Sequence, residues 1–75
     1  MHARVNLIIS SGSSDKKEIE RNLDFLLETM IFGEGRDDFL RLVTYYHRLD
    51  KEGANFYHRN ALEEILLSRM NYLTN

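Results

Sequence analysis

The residues best suited to chemistry lie in two copies of a four-residue motif. The first copy reads Tyr-Tyr-His-Arg over residues 45–48, and the second reads Phe-Tyr-His-Arg over residues 56–59. They stand almost symmetrically about residues 51–54, where we predict a turn between two antiparallel helices. Residues at equal distances from such a turn lie side by side. The pattern therefore predicts an aromatic and basic patch, formed by Tyr45, His47, Arg48, Tyr57, His58 and Arg59.

This patch has a functional and a structural interpretation. Its imidazoles, guanidinium groups and phenol hydroxyls could hold a phosphate or an acidic partner, or respond to pH through repulsion between protonated histidines. Alternatively, the tyrosines only pack between the helices, the histidines are solvated, and the arginines cover the rings or pair with Asp50, Glu52 and Glu63. The structural interpretation is favoured, because clusters of polar residues mark functional sites only statistically.

Other chemistry is poorly represented in the sequence. Zinc needs three or four donors, and the chain has no cysteine and no third histidine near His47 and His58, since His2 lies at the N-terminus. The glycines are scattered singly, so they form no phosphate-binding loop, and the serines cluster in a linker without an activating base. We therefore predict a protein that is not an enzyme, with no catalytic residues, no metal and no cofactor.

The start of the predicted third helix suggests an alternative function. Asn55, His58, Arg59 and Asn60 are residue types that contact base edges, and a short turn containing glycine precedes them as in a helix-turn-helix. However, the net charge is -2, with 10 Lys and Arg against 12 Asp and Glu. Because DNA binding depends on a positive surface, a dimeric DNA-binding regulator is the second hypothesis.

The elements that would position these residues are mostly helical. A first helix is predicted over about 16–32, because Asp15 and Glu18 resemble a capping box and Gly33 stands where a left-handed C-cap is expected. Its apolar residues follow helical spacing at Ile19, Leu23, Leu26, Leu27 and Met30.

Two more helices are predicted over about 37–52 and 55–73. Asp37 and Asp38 suit the start of the second helix, Gly53 is expected to end it, and Asn55 is expected to cap the third. The second helix has apolar residues at Phe39, Leu42, Val43, Tyr46 and Leu49. The third has a wider apolar stripe, at Ala61, Leu62, Ile65, Leu66, Met70 and Leu73.

The N-terminal segment is predicted to be different. Residues 4–9 are apolar and β-branched enough for a short strand, and residues 10–14 resemble a flexible Ser/Gly linker. We thus expect an arm and linker over 1–14 and a single helical domain over 15–75. The fold class is mainly α, a three-helix antiparallel bundle or hairpin domain with a short N-terminal extended arm or strand.

The chain has more apolar faces than three helices can bury. Phe25 and Phe32 lie opposite the main stripe of the first helix, and a further set on the third helix comprises Leu67, Arg69, Met70 and Tyr72. We therefore predict a homo-oligomer that acts as a small interaction protein, a regulator or adaptor, by binding another protein. Alternatively, both faces bury only against sister subunits.

The apolar run at the N-terminus is too short for a signal peptide or membrane span, so a cytoplasmic protein without membrane contact is expected.

Overall fold

The computed structural model describes the backbone of residues 2–74 and the side chains of residues 2–63. It contains four helices: α1 (His2–Ser11), α2 (Lys16–Ile31), α3 (Arg36–Leu49) and α4 (Lys51–Thr74). The prediction of a mainly α-helical chain is confirmed. The prediction of three helices and an N-terminal strand is wrong, because residues 2–74 form four helices and no strand. None of these helices is both long enough and apolar enough to cross a lipid bilayer.

Helix α1 replaces the predicted arm and strand. Val5 and Ile8 are both buried in the core, and Ile9 packs beside them. Side chains three residues apart share one face of a helix but point to opposite faces of a strand, so only a helix buries both. The preference of β-branched residues for strands is weak, and packing against the rest of the chain overrides it here.

The predicted Ser/Gly linker also has a defined structure. The amides of Gly12 and Ser13 donate to the carbonyls of Ile9 and Ile8, each at 3.2 Å, in the hydrogen-bond pattern of a Schellman C-cap. The Tyr45 hydroxyl then donates to the Ser13 carbonyl at 2.6 Å. Because Tyr45 belongs to α3, the linker is tied to the helical body rather than free of it.

Helix α2 begins and ends close to where the sequence predicts. The Asp15 carboxylate accepts from the Glu18 amide at 3.2 Å, as an N-cap should, while the Asp15 amide donates to the Ser13 hydroxyl instead of completing a capping box. At the other end Gly33 has φ +83, and its amide donates to the Met30 carbonyl at 3.0 Å. This is the expected left-handed C-cap.

The junction between α3 and α4 differs from the prediction. Asp50 alone forms it: its amide donates to the Tyr46 carbonyl at 2.8 Å, and its carboxylate accepts from the Gly53 amide at 3.0 Å. Asp50, not Asn55, therefore caps α4, and Gly53 lies inside α4 instead of ending α3. A Cβ at Gly53 would lie 3.0 Å from the Tyr46 ring, so the glycine allows the close approach of the two helices.

Helices α2, α3 and α4 pack against one another, and α1 packs on α3. The buried apolar residues are Val5, Ile8, Ile19, Leu23, Leu26, Phe39, Leu42, Val43, Tyr46, Ala54, Tyr57 and Ala61. Most of the predicted stripes of α2 and α3 are thus buried. In α4 the seam runs through Ala54, Tyr57 and Ala61, while Leu62 is exposed. The other predicted stripe residues of this helix, Ile65, Leu66, Met70 and Leu73, lie outside the described side chains.

The role of α1 in the core can be tested with two neighbouring residues. Ile8 is 2% exposed and Leu7 is 63% exposed. Ile8→Ala should lower the free energy of unfolding by about 2–4 kcal/mol, because it leaves a cavity. Leu7→Ala should change it by less than about 0.5 kcal/mol. Urea unfolding followed by circular dichroism measures both. Equal small effects would mean that residues 2–11 are not part of the core.

Candidate functional site

The second residue of each repeated motif is a buried tyrosine. The rings of Tyr46 and Tyr57 meet edge to face with their centroids 6.4 Å apart, as expected for residues facing each other across antiparallel helices. The Tyr46 hydroxyl donates to the Glu20 carboxylate at 2.6 Å, and the Tyr57 hydroxyl lies 3.4 Å from the Glu20 carbonyl. Both tyrosines therefore join α3 and α4 to α2.

The surroundings of these hydroxyls keep them protonated. Burial raises the pKa of Tyr46 well above its usual range, and the hydrogen bond and charge of Glu20 add to the effect. Burial also raises the pKa of Tyr57, followed by the carboxylates of Asp24 and Glu20. Hydroxyls with a raised pKa stay protonated at neutral pH and act here as hydrogen-bond donors to α2.

Asp50 is a structural residue that the sequence reasoning treated only as a possible ion-pair partner. The hydrogen bond from the Gly53 amide lowers its pKa, although partial burial acts in the opposite direction and Lys16, with its Nζ 3.7 Å from Oδ2, adds a favourable charge. The sequence contains the signal for this cap, because Asp is a preferred N-cap residue and its carboxylate accepts from the amide three residues later. The sequence prediction instead ended the preceding helix at Gly53 and placed the cap at Asn55.

The third residues of the motifs come together on the outside of the same helix pair. His47 and His58 are exposed and line one cleft between α3 and α4, with a volume of about 270 Å³. We call it the His cleft. Arg48 also lines it, and no Asp or Glu does. Its other lining residues are Val43, Thr44, Ala54 and Asn55.

A second groove, of about 420 Å³, lies between α1 and α3. The two share Thr44 and Arg48. The new part is lined by Ile9, Leu40 and Tyr45, which supply apolar and aromatic surface, and by Arg41. The Arg41 guanidinium is already engaged, because it donates to the Asn6 side chain and lies 3.6 Å from the Asp38 carboxylate.

The predicted aromatic and basic patch is thus divided. Tyr57 is buried, Tyr45 turns to Ser13 and the adjoining groove, and Arg59 lies outside the His cleft beside Glu52 and Phe56. Within residues 2–63, neither Arg48 nor Arg59 forms an ion pair. What the structure brings together is His47, Arg48 and His58.

The residues proposed to read DNA occupy a different part of their helix than expected. Because α4 begins at Lys51, they lie in its second and third turns and not at its N-terminus. Asn55, His58 and Arg59 are exposed, while Asn60 is partly buried. Asn55 and His58 face the His cleft, and Arg59 does not line it.

The proposed interface of α2 is exposed. Phe25, within α2, is 49% exposed, and Phe32, the C-cap residue directly after α2, is 84% exposed. We call this pair the α2 face. The remaining proposed interface residues, Leu67, Arg69, Met70 and Tyr72, lie outside the described side chains and stay predictions.

The site defines no metal centre among the residues that the structure describes, where no group of three or more His, Cys, Asp or Glu side chains is placed to hold an ion. The class of protein that the fold defines is a small all-α protein. The chain matches no protein-family model, no curated protein and no solved structure.

The bond between Tyr46 and Glu20 should carry measurable stability. Tyr46→Phe removes a short hydrogen bond to a carboxylate, so the free energy of unfolding should fall by about 1.5–3 kcal/mol. Tyr57→Phe is the matched control, because its hydroxyl is 3.4 Å from its acceptor and should contribute less than about 1 kcal/mol. Urea unfolding at neutral pH compares them. A larger loss in Tyr57→Phe would contradict the assignment.

These tyrosines should also make the fold sensitive to alkali. The pKa of both is raised in the folded state, so the unfolded chain loses their protons first, above its ordinary pKa of about 10. The contribution of the two tyrosines to the free energy of unfolding is complete below about pH 10. Above that pH it should fall by up to about 1.4 kcal/mol per pH unit per tyrosine. The double variant Tyr46→Phe/Tyr57→Phe should flatten this slope in urea unfolding measured across alkaline pH. An unchanged slope would assign it to other groups.

Proposed function

We propose that this chain is a small, non-enzymatic α-helical protein that self-associates and acts by binding another protein. The observation that supports this most is the α2 face, where the side chains of Phe25 in α2 and of Phe32 at its C-cap are exposed to solvent. Large aromatic residues anchor protein interfaces because they bury much apolar area with few rotatable bonds. A cytoplasmic role as a regulator or adaptor fits this proposal.

A second copy of the chain is the proposed occupant of the α2 face. Arg21 and Glu28 are exposed on either side of Phe25, four residues before it and three after it. In a two-fold pairing with the axis near Phe25, Arg21 of one copy approaches Glu28 of the other. The charges are therefore complementary while the two Phe25 rings meet near the axis. Ile31, also exposed, adds apolar surface close to Phe32.

Helix α4 is proposed to supply the surface for a different protein partner. Leu62, the second residue of its predicted apolar stripe, is 59% exposed. An exposed apolar side chain on a helix can contact a partner helix or groove. Leu67, Met70 and Tyr72, with Arg69 as a charged contact, are the residues proposed for this role.

Nucleic-acid binding is the second candidate, and the exposure of Asn55, His58 and Arg59 favours it. The net charge of -2 provides no general attraction to phosphates. Affinity capture from native lysate with and without nuclease separates the two candidates. A stoichiometric protein that remains after nuclease treatment supports protein binding, whereas loss of all partners with recovery of nucleic acid supports the alternative.

The α2 face predicts the outcome of a double substitution. Phe25→Glu/Phe32→Glu should convert the oligomer to a folded monomer, because it places two buried charges in the proposed interface while the rings do not belong to the core of one chain. Sedimentation equilibrium measures the mass, and circular dichroism measures the helix content.

The matched control places the same change on α4. Phe56→Glu/Leu62→Glu alters two side chains of similar exposure, 61% and 59%, and should leave the mass of the oligomer unchanged. If the α2 variant unfolds, its rings belong to the core. If only the α4 variant dissociates, self-association uses α4 and the proposed α2 contact is wrong.

A further inference from the structure

The His cleft combines an arginine and two histidines with an absence of carboxylates among its described lining residues. Although the chain has more acidic than basic residues, no carboxylate lines this cleft. The polar residues that line it are Arg48, His47, His58, Thr44 and Asn55, which carry guanidinium, imidazole, hydroxyl and amide groups. We propose that the cleft binds the phosphate monoester of a phosphorylated serine or threonine on the partner protein, an inference that rests on the proposed protein-binding function.

The lining groups suit a tetrahedral dianion. A guanidinium presents parallel N–H donors that match two phosphate oxygens, and each imidazole supplies at least one more N–H donor. The Asn55 amide and Thr44 hydroxyl can complete the set. Among residues 2–63, no hydrogen bond or ion pair engages any of these five side chains.

The surroundings of Arg48 differ from those of Arg36 and Arg59, which also form no ion pair within residues 2–63 but line clefts that contain Asp or Glu. Three further cations of the described residues are paired with carboxylates. Arg4 lies 3.6 Å from the Glu18 carboxylate, Lys16 lies 3.7 Å from Asp50, and Arg41 contacts Asp38. An arginine without a carboxylate partner, placed beside two histidines, favours an anion from outside the described part of the chain.

Size and surroundings favour a phosphopeptide over a cofactor or a nucleic acid. Pockets that hold whole small molecules measure roughly 300–1,000 Å³, and the His cleft, at about 270 Å³, suits a single group. The adjoining groove offers Ile9, Leu40 and Tyr45 to an apolar side chain next to the phosphorylated residue. Nucleic acid would need a longer basic track, for which the net charge gives no support.

The test is a titration of the full chain, observed by nuclear magnetic resonance of its backbone amides and histidine rings. Four probes are compared at constant ionic strength: inorganic phosphate, a short peptide with one phosphoserine beside a leucine, the same peptide without phosphate, and single-stranded oligothymidine. His2 is an internal reference, because its ring pairs with Asp38 and lies outside the cleft.

The phosphopeptide should shift the signals of His47, His58 and Thr44, leave those of His2 in place, and bind at least tenfold more tightly than inorganic phosphate or the unphosphorylated peptide. Arg48→Gln should weaken this binding by about tenfold or more. Arg59→Gln, which removes the same charge outside the cleft, should weaken it by less than about twofold. Both variants keep the buried residues intact, so folding is retained and is checked by circular dichroism.

Three results would overturn the proposal. If the two arginine variants lose affinity equally, the attraction is general and the cleft is not a site. If inorganic phosphate binds as tightly as the phosphopeptide, the ligand is the free ion and not a protein. If oligothymidine binds most tightly, the partner is nucleic acid. Because the α2 face is a separate surface, each of these results is distinguishable from failure of self-association, which sedimentation measures independently.

Discussion

The hydroxyl of Tyr46 is the point on which the packing of three helices depends. Its ring is fully buried in α3, its oxygen donates to Glu20 of α2, and its edge lies against Gly53 of α4. A buried hydroxyl without a partner is costly, so Glu20 must stay within reach and fixes α2 against α3. Tyr57 repeats the arrangement from α4. Since His47 and His58 follow these tyrosines directly, the inward rings decide where the imidazoles emerge.

Helices α2 and α3 could be predicted because several independent signals agree. In α2 the cap at Asp15, the helical spacing of leucines and the stop at Gly33 indicate the same element. The signals for α1 conflict, since β-branched residues favour a strand while the spacing of Val5 and Ile8 fits a helix. A helix of ten residues is marginal alone, so contacts distant in sequence decide the outcome.

The proximity of His47 and His58 could be predicted from the symmetry of the motifs. The prediction that all six residues of the patch share one site is wrong. Consecutive residues of a helix point about 100° apart. His58 therefore faces the cleft while Arg59, one residue later, faces away from it beside Glu52. Arg48 remains at the cleft because it stands between two adjoining grooves. The symmetry of the motifs indicated which residues are near one another, and the helical geometry determines which of them line the same cleft.

The small core links stability to association. A domain of about this size hides only about 60% of the surface that its unfolded chain exposes. Helix α4 adds to the described core one tyrosine and two alanines, and the alanines permit close packing but bury little apolar area. The phenylalanines of α2 meanwhile remain in solvent. Association through them would stabilise the folded state by mass action, so the folded fraction should rise with protein concentration. An apolar face that completed the core of a second copy would therefore serve folding as well as the proposed recognition.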